Sequence, residues 1–441
     1  MSNYNFFKRL FCVFLISVFV VPNSLSYASY QIKTASLPPL PTVWHIIWSD
    51  QVSVQEAQSL KAMGFDTLFK CVAYRPNYPN PPINAAGEWR LVERVEGQYD
   101  WSDLRRCLDA TLKANMWVVP EVVINIPPDW FIQRFPDSVL KDSRGITATD
   151  PDETDAPYLL SPWFIATGAA DAYLVPYINS FLNVVSRYPN VAGIMIGNFK
   201  LNTLPWRLGN NASDDFTYWA IWDNSAKASY QTRFGTLPLS TWNDYQALND
   251  IAKTNFRDWL TSAIRTNLQN RYLTWVSGFT GWKVINASIW NGNDVKESIF
   301  TTTTPDMTAA KQTAIKQSGV TGIVINDDNM GDCGIQSQQQ EDITLAASNG
   351  FKIIGERVVG LQSCDWSTVY NMWSAFSPRP NGFVNITEPD ANWIRQYRTL
   401  YGPATAPITP MSICHSFKGN QKAAQQPYAH DSVNGCLVQA Q

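Results

Sequence analysis

From residue 42 onward, short apolar runs rich in β-branched and aromatic residues alternate with longer stretches whose apolar residues recur at helical spacing. Eight runs read as strands, at 43–48, 67–72, 117–124, 191–196, 273–277, 321–325, 352–355 and 382–386. Several are apolar throughout, as in strands covered on both faces. Amphipathic stretches stand between and after them, at 54–63, 104–114, 173–187, 245–268, 308–317, 339–348, 368–376 and 392–400. Ser53 with Glu56 three positions on forms a capping box for the first helix, and Gly64, Gly319 and Gly350 sit where helices must stop before the next strand. Eight such units predict an α/β fold, a (β/α)8 TIM barrel. The longest insertions follow strands 3 and 4, at 127–172 and 200–239. An open doubly wound sheet is the rival, but no glycine-rich phosphate loop follows the first strand.

The two ends read differently from this middle. Lys8 and Arg9 precede an apolar run over 10–21, Pro22 breaks it, and Ser26 and Ala28 offer small residues at cleavage positions. Residues 1–28 therefore read as a secretory signal peptide, 29–402 as the barrel and 403–441 as a Pro-rich linker and a short C-terminal tail. The expected location is secreted or periplasmic. No later segment is apolar enough to span a membrane, so no membrane association is expected after cleavage.

Removing the leader leaves six cysteines, and in an exported chain these read as disulfides. Proximity in sequence favours Cys71 with Cys107, Cys333 with Cys364 and Cys414 with Cys436, although other pairings are open. With three histidines and no CxxC pair, neither a metal site nor a cofactor is expected. The net charge is −3, charged residues make up 16%, and the basic residues form no stripe, which argues against a nucleic-acid partner.

Aromatic residues change the picture more. The chain holds 18 Trp, 18 Tyr and 21 Phe. Many rings belong in a core. Trp48, Trp89, Trp130, Trp163, Trp206, Trp282 and Trp290 fall in loop-like contexts, where flat rings can stack on sugar faces. Asn125 and Trp130 at the exit of strand 3, and Trp48 at the exit of strand 1, are candidates for binding an oligo- or polysaccharide.

Several motifs resemble clan A glycoside hydrolases, and family 42 β-galactosidases most of all. They are Gly97-Gln98-Tyr99-Asp100-Trp101, Pro127-Pro128-Asp129-Trp130-Phe131, Phe135-Pro136-Asp137, Ser143-Arg144-Gly145, Ser161-Pro162, and Tyr230 to Leu237. The resemblance implies a retaining glycosidase with an acid/base carboxylate ending strand 4 and a nucleophile ending strand 7. Such chemistry needs two carboxyl groups about 5 to 5.5 Å apart. Glu356 stands where that nucleophile belongs.

At strand 4 the chain departs from the family pattern. Asn198 is followed by Phe199 in the acid's place. Phenylalanine can neither donate nor accept a proton, and losing a general acid/base costs about 10²- to 10⁴-fold in rate. Asn198 can still bond a sugar hydroxyl and Phe199 can offer a stacking face. Asp327 and Asp328, ending strand 6, are the first candidates for a relocated acid; Glu121 on strand 3 follows, at a position that reads as deep, and then Asp214 and Asp215. Two readings result: a secreted glycoside hydrolase acting on a β-linked glycan with Glu356 as nucleophile, or a non-catalytic carbohydrate-binding pseudo-glycosidase.

Overall fold

A computed structural model describes residues 44–49, 52–71, 89–124, 126–147, 158–196, 221–240, 247–262, 270–285, 319–325, 336–357, 375–385, 429–431 and 436–438, with a few single positions between them. The leader over 1–28 and the Pro-rich stretch over 403–410 lie outside these residues, as do Cys333, Cys364 and Cys414.

Eight parallel strands close into a barrel in chain order. They are β1 (Trp44–Ser49), β2 (Thr67–Lys70), β3 (Trp117–Val122), β4 (Gly193–Ile196), β5 (Trp282–Ile285), β6 (Gly322–Ile325), β7 (Lys352–Arg357) and β8 (Gly382–Asn385). β8 pairs back onto β1 through Trp44↔Gly382 and Ile46↔Val384, which excludes the open doubly wound sheet. Nearer the C-terminus, β9 (Ala429–Asp431) and β10 (Cys436–Val438) form an antiparallel pair.

Of the helices read from the sequence, those at 54–63, 104–114, 173–187, 245–268 and 339–348 have counterparts, while 392–400 and most of 308–317 and 368–376 lie outside the described residues. α1 (Val54–Met63) carries the full Ser53/Glu56 capping box and stops at Gly64, whose φ of 105° only glycine adopts at little cost. The others are α2 (Trp89–Val92), α3 (Ser102–Lys113), α4 (Asp129–Arg134), α5 (Pro162–Ala166), α6 (Asp171–Val185), α7 (Asn224–Phe234), α8 (Asp250–Ser262), α9 (Asn270–Trp275) and α10 (Gln336–Ser348). One expected strand is corrected. Residues 273–277 belong to α9 and the turn after it, and β5 begins only at Trp282. The buried residues Tyr272, Leu273 and Val276 recur at helical spacing, and a short apolar run does not separate helix from strand by itself.

Two cores result from the closure. Leu68, Val118, Val122, Ile194, Ile196, Ile323 and Ile353 face outward into the layer shared with the helices. Trp44, Ile46, Phe69, Trp117, Val119, Met195, Val324 and Ile354 fill the inside. Inward residues of such a barrel stack in layers contributed by alternate strands. The lowest layer on the odd strands is Trp44, Trp117, Trp282 and Lys352. Its members touch: Trp44 and Trp282 have ring centroids 4.9 Å apart, and the Lys352 ammonium lies over both rings, at 5.9 and 5.3 Å.

Bulk on the odd strands is matched by glycine on the even ones. A Cβ on Gly193 would lie 2.1 Å from the Trp282 carbonyl oxygen, on Gly322 2.5 Å from the Trp282 ring, and on Gly382 2.6 Å from the Trp44 carbonyl oxygen. Gly193→Ala is therefore expected to cost about 1 to 3 kcal/mol through overpacking against backbone. Gly278, with nothing within 4 Å of its Cβ position, serves as the control. Equal urea midpoints for the two alanine variants would contradict this account of the barrel floor.

The expected Cys71–Cys107 disulfide is present and ties the exit of β2 to α3, with Cα atoms 5.7 Å apart. Closing a loop of sequence separation 36 restricts the unfolded chain by about 4 kcal/mol in the loop-entropy view. The Cys71→Ser, Cys107→Ser double variant should melt well below the parent, and thermal unfolding monitored by circular dichroism measures the difference.

Candidate functional site at the C-terminal face of the barrel

Counting upward from the tryptophan layer along the odd strands gives the chemistry of the upper end. Two residues above it stand Ile46, Val119, Val284 and Ile354. Two further on stand Trp48 on β1, Glu121 on β3 and Glu356 on β7. The fourth position of that layer, Asn286, lies outside the described residues. By strand register Glu121 and Glu356 thus hold, at the end from which the βα loops depart, the positions that Trp117 and Lys352 hold at the floor. The sequence suggests a deep position for Glu121; strand register puts it level with Glu356.

Glu121 is 1% exposed. The strand that carries it is held at its exit. Tyr177 on α6 donates its hydroxyl to the Val123 carbonyl at 3.0 Å, and Tyr272 on α9 reaches the Val122 carbonyl at 3.5 Å. Burial, then the neighbouring Tyr177, then the charge of Glu121 push the Tyr272 phenol well above its usual range, so it stays a neutral donor. On the other side of β3, Val118 pairs with Val191 and Glu121 with Met195. Three steps on β3 therefore span four on β4, a bulge that lets both Ala192 and Met195 reach the inner cluster just before the strand ends.

The loops beside this face are organised by three buried carboxylates. Glu93, after α2, accepts from the Trp89 indole N–H and from the Gly97 backbone N–H at 2.7 Å, while its carbonyl accepts the Trp130 indole N–H at 2.8 Å. Burial raises its pKa against these bonds, and burial with the Glu93 charge pushes the Tyr99 phenol up to about 12. Asp142 takes the backbone N–H groups of Arg144 and Ile146, both at 2.9 Å, and so builds the Ser143-Arg144-Gly145 turn. Asp223 caps α7 through Ala226 N–H at 3.0 Å and accepts the Ser161 hydroxyl at 3.0 Å. Ser161 in turn caps α5 at Phe164.

The sequence-read site residues divide accordingly. Trp130 sits on α4, half-buried, edge-on to Trp89 at 6.0 Å and against Tyr173 at 5.7 Å, with the Arg134 guanidinium 5.9 Å away. Trp48 and Glu356 are placed by their strands. Asn125, Asn198, Phe199, Trp206, Asp327 and Asp328 lie outside the described residues. Three tryptophans read as loop-borne are corrected: Trp89 and Trp163 are buried in the outer core, and Trp282 belongs to the barrel floor. Glu93 and Asp223 were missed as organising groups. The signal for Glu93 was a carboxylate four residues before a turn glycine; for Asp223 it was an acid directly preceding a helix. Among the described residues no group of three or more His, Cys, Asp and Glu is placed to hold a metal, and no helix is long and apolar enough to cross a membrane.

A closed (β/α)8 barrel carries its sites at the loop-bearing end. Residues 84–159 match the β-galactosidase model of glycoside hydrolase family 42, so the family resemblance is borne out over the segment that holds Glu93, Glu121 and Asp142. Among solved structures, the chain is similar to a β-galactosidase from Bacillus circulans sp. alkalophilus, with 10% identity, TM-score 0.47, and 78% of this chain against 50% of that one covered. A β-galactosidase from Rahnella sp. R3 gives 10%, 0.44, 80% and 52%, and a xylanase from Paenibacillus barcinonensis gives 11%, 0.36, 78% and 83%. The chain spans about half the length of these two β-galactosidases. No curated protein sequence matches it.

Asp223 gives the face a measurable pH signature. Burial pushes its carboxyl up to about 7, against the bonds from Ala226 and Ser161. The folded state therefore binds this proton more readily than the unfolded chain, and stability from this group falls as pH rises from about 4 to about 7. Asp223→Asn keeps a neutral acceptor and removes that slope. The variant should gain stability over the parent above pH 7 and match it near pH 4, as read by urea unfolding across pH.

Proposed function

We propose that this chain is an exported glycoside hydrolase acting on a β-linked oligo- or polysaccharide, with Glu356 as nucleophile. The observation that carries the reading is the place of Glu356 in β7, two residues after the inner-cluster residue Ile354 and at the loop-bearing end of a closed barrel. A nucleophile is best presented from a rigid strand end, where it meets a substrate held by the loops. The family 42 match over 84–159 supports the substrate class, because it spans β3 and the segments before and after it. The leader-like 1–28 segment supports export.

In this reading the Glu356 carboxylate attacks the anomeric carbon while a second carboxyl protonates the leaving oxygen, and water then releases the sugar. Aromatic rings at the rim offer stacking faces to the sugar. Phe199 specifically favours the other reading, a barrel that binds glycans without cutting them.

Turnover of aryl β-glycosides and β-linked polysaccharides distinguishes the two. Glu356→Gln should lower kcat by more than about 10⁴-fold, beyond the usual cost of losing an acid/base group. Equal turnover in parent and variant would remove Glu356 from the mechanism. Sugar binding by calorimetry with no turnover in the parent would establish the binding protein instead.

A further inference from the structure

We propose that Glu121 is the acid/base that works opposite Glu356, taking over on strand 3 the task that Phe199 leaves undone on strand 4; this rests on the glycosidase reading above. β3 and β7 are four strands apart in a ring of eight, so they face each other across the barrel. Glu121 and Glu356 each stand four residues above the same tryptophan-containing layer, at Trp117 and Lys352. Eight strands about 4.8 Å apart and tilted by about 36° make a ring about 15 Å across. From opposite walls of such a ring, glutamate is long enough to bring two carboxyls to the roughly 5 to 5.5 Å that a retaining pair needs.

Burial supports the role. Below Glu121 the inward positions of β3 are Trp117 and Val119, both part of the apolar inner cluster. Glu121, 1% exposed, thus stands above an apolar floor at the loop-bearing end of its strand. The chemistry asks for one group as the acid and the other as the carboxylate. The exit of β3, clamped by the Tyr177 and Tyr272 hydroxyls, fixes the donor's backbone.

The step balances within the pair. The Glu121 carboxyl gives its proton to the glycosidic oxygen as the bond to the anomeric carbon breaks and the Glu356 carboxylate forms a glycosyl ester. Glu121, now a carboxylate, takes a proton from the water that attacks the same carbon. The ester bond breaks, and both groups return to their starting states.

The test compares the parent with Glu121→Gln, Asp327→Asn and Asp328→Asn on two aryl β-glycosides, one with a 2,4-dinitrophenyl and one with a 4-methylphenyl leaving group. An acid/base variant loses about 10²- to 10⁴-fold on the poor leaving group, which needs its proton, and much less on the good one. Azide should restore turnover of the dinitrophenyl substrate by Glu121→Gln and yield the glycosyl azide, since azide needs no base. Glu121→Asp, which keeps the carboxyl but retracts it by one methylene, carries the comparison if the glutamine variant does not fold.

Equal losses on both substrates, or no azide product, would overturn the role of Glu121 while leaving the glycosidase reading intact. The leaving-group signature appearing in Asp327→Asn or Asp328→Asn instead would do the same and name the true donor. A parent that turns over neither substrate nor any β-linked polysaccharide overturns both proposals together.

Discussion

Closure of the sheet is the constraint on which the rest depends. With β8 paired back onto β1, every second residue of every strand must enter one narrow interior, and no edge is left to absorb a misfit. That interior is filled by exchange between neighbours. Trp44 and Trp282 fit only because Gly382, Gly322 and Gly193 give up their side-chain volume on the strands beside them. The same alternation that packs the floor carries Glu121 and Glu356 to the opposite end, so packing and chemistry are two ends of one register.

A second level of order sits in the loops, and it is built from buried acids rather than from apolar packing alone. Glu93, Asp142 and Asp223 are each nearly sealed from water and each satisfies backbone or indole N–H groups that a loop would otherwise leave unbonded. A carboxylate suits this task because it offers acceptor sites only, several at once. The motifs that resemble family 42 are largely these structural devices: the Glu93 hub beside Gly97, the Asp142 turn, and the Ser161 cap joined to the Asp223 cap. A match over 84–159 is therefore strong on how the loops are held and weaker on which bond is cut.

The sequence carried the barrel well, because eight alternations and a capping box are local signals. Residues 273–277 misled because Leu-Thr-Trp-Val-Ser favours a strand by composition while Tyr272, Leu273 and Val276 point one way only on a helix. Tryptophan misled in a different manner. Trp89, Trp163 and Trp282 look loop-borne in the linear chain, yet their partners Tyr177, Trp259 and Trp44 come from far away. Relative height was not legible either. Glu121 follows its strand's start by four residues and Glu356 does likewise, but equal level around a ring appears only when the strand pairing is known.

On the proposed glycosidase reading, that ring also gives a reason why a missing strand-4 acid need not end catalysis. The eight strand exits of a closed parallel barrel are equivalent supports: each delivers a side chain to the same mouth, at a height fixed by register. What a glycosidic bond requires is a second carboxyl on the far side of the sugar from the nucleophile, not a particular strand number. Strand 4 lies three places from β7 and strand 3 lies four, which is the farthest point on the ring. An acid on strand 3 stands across the ring from β7 and level with Glu356 in strand register. A pair arranged this way draws the reacting bond toward the barrel interior, where fewer waters compete for the proton and the charge of each carboxyl acts more strongly on the other.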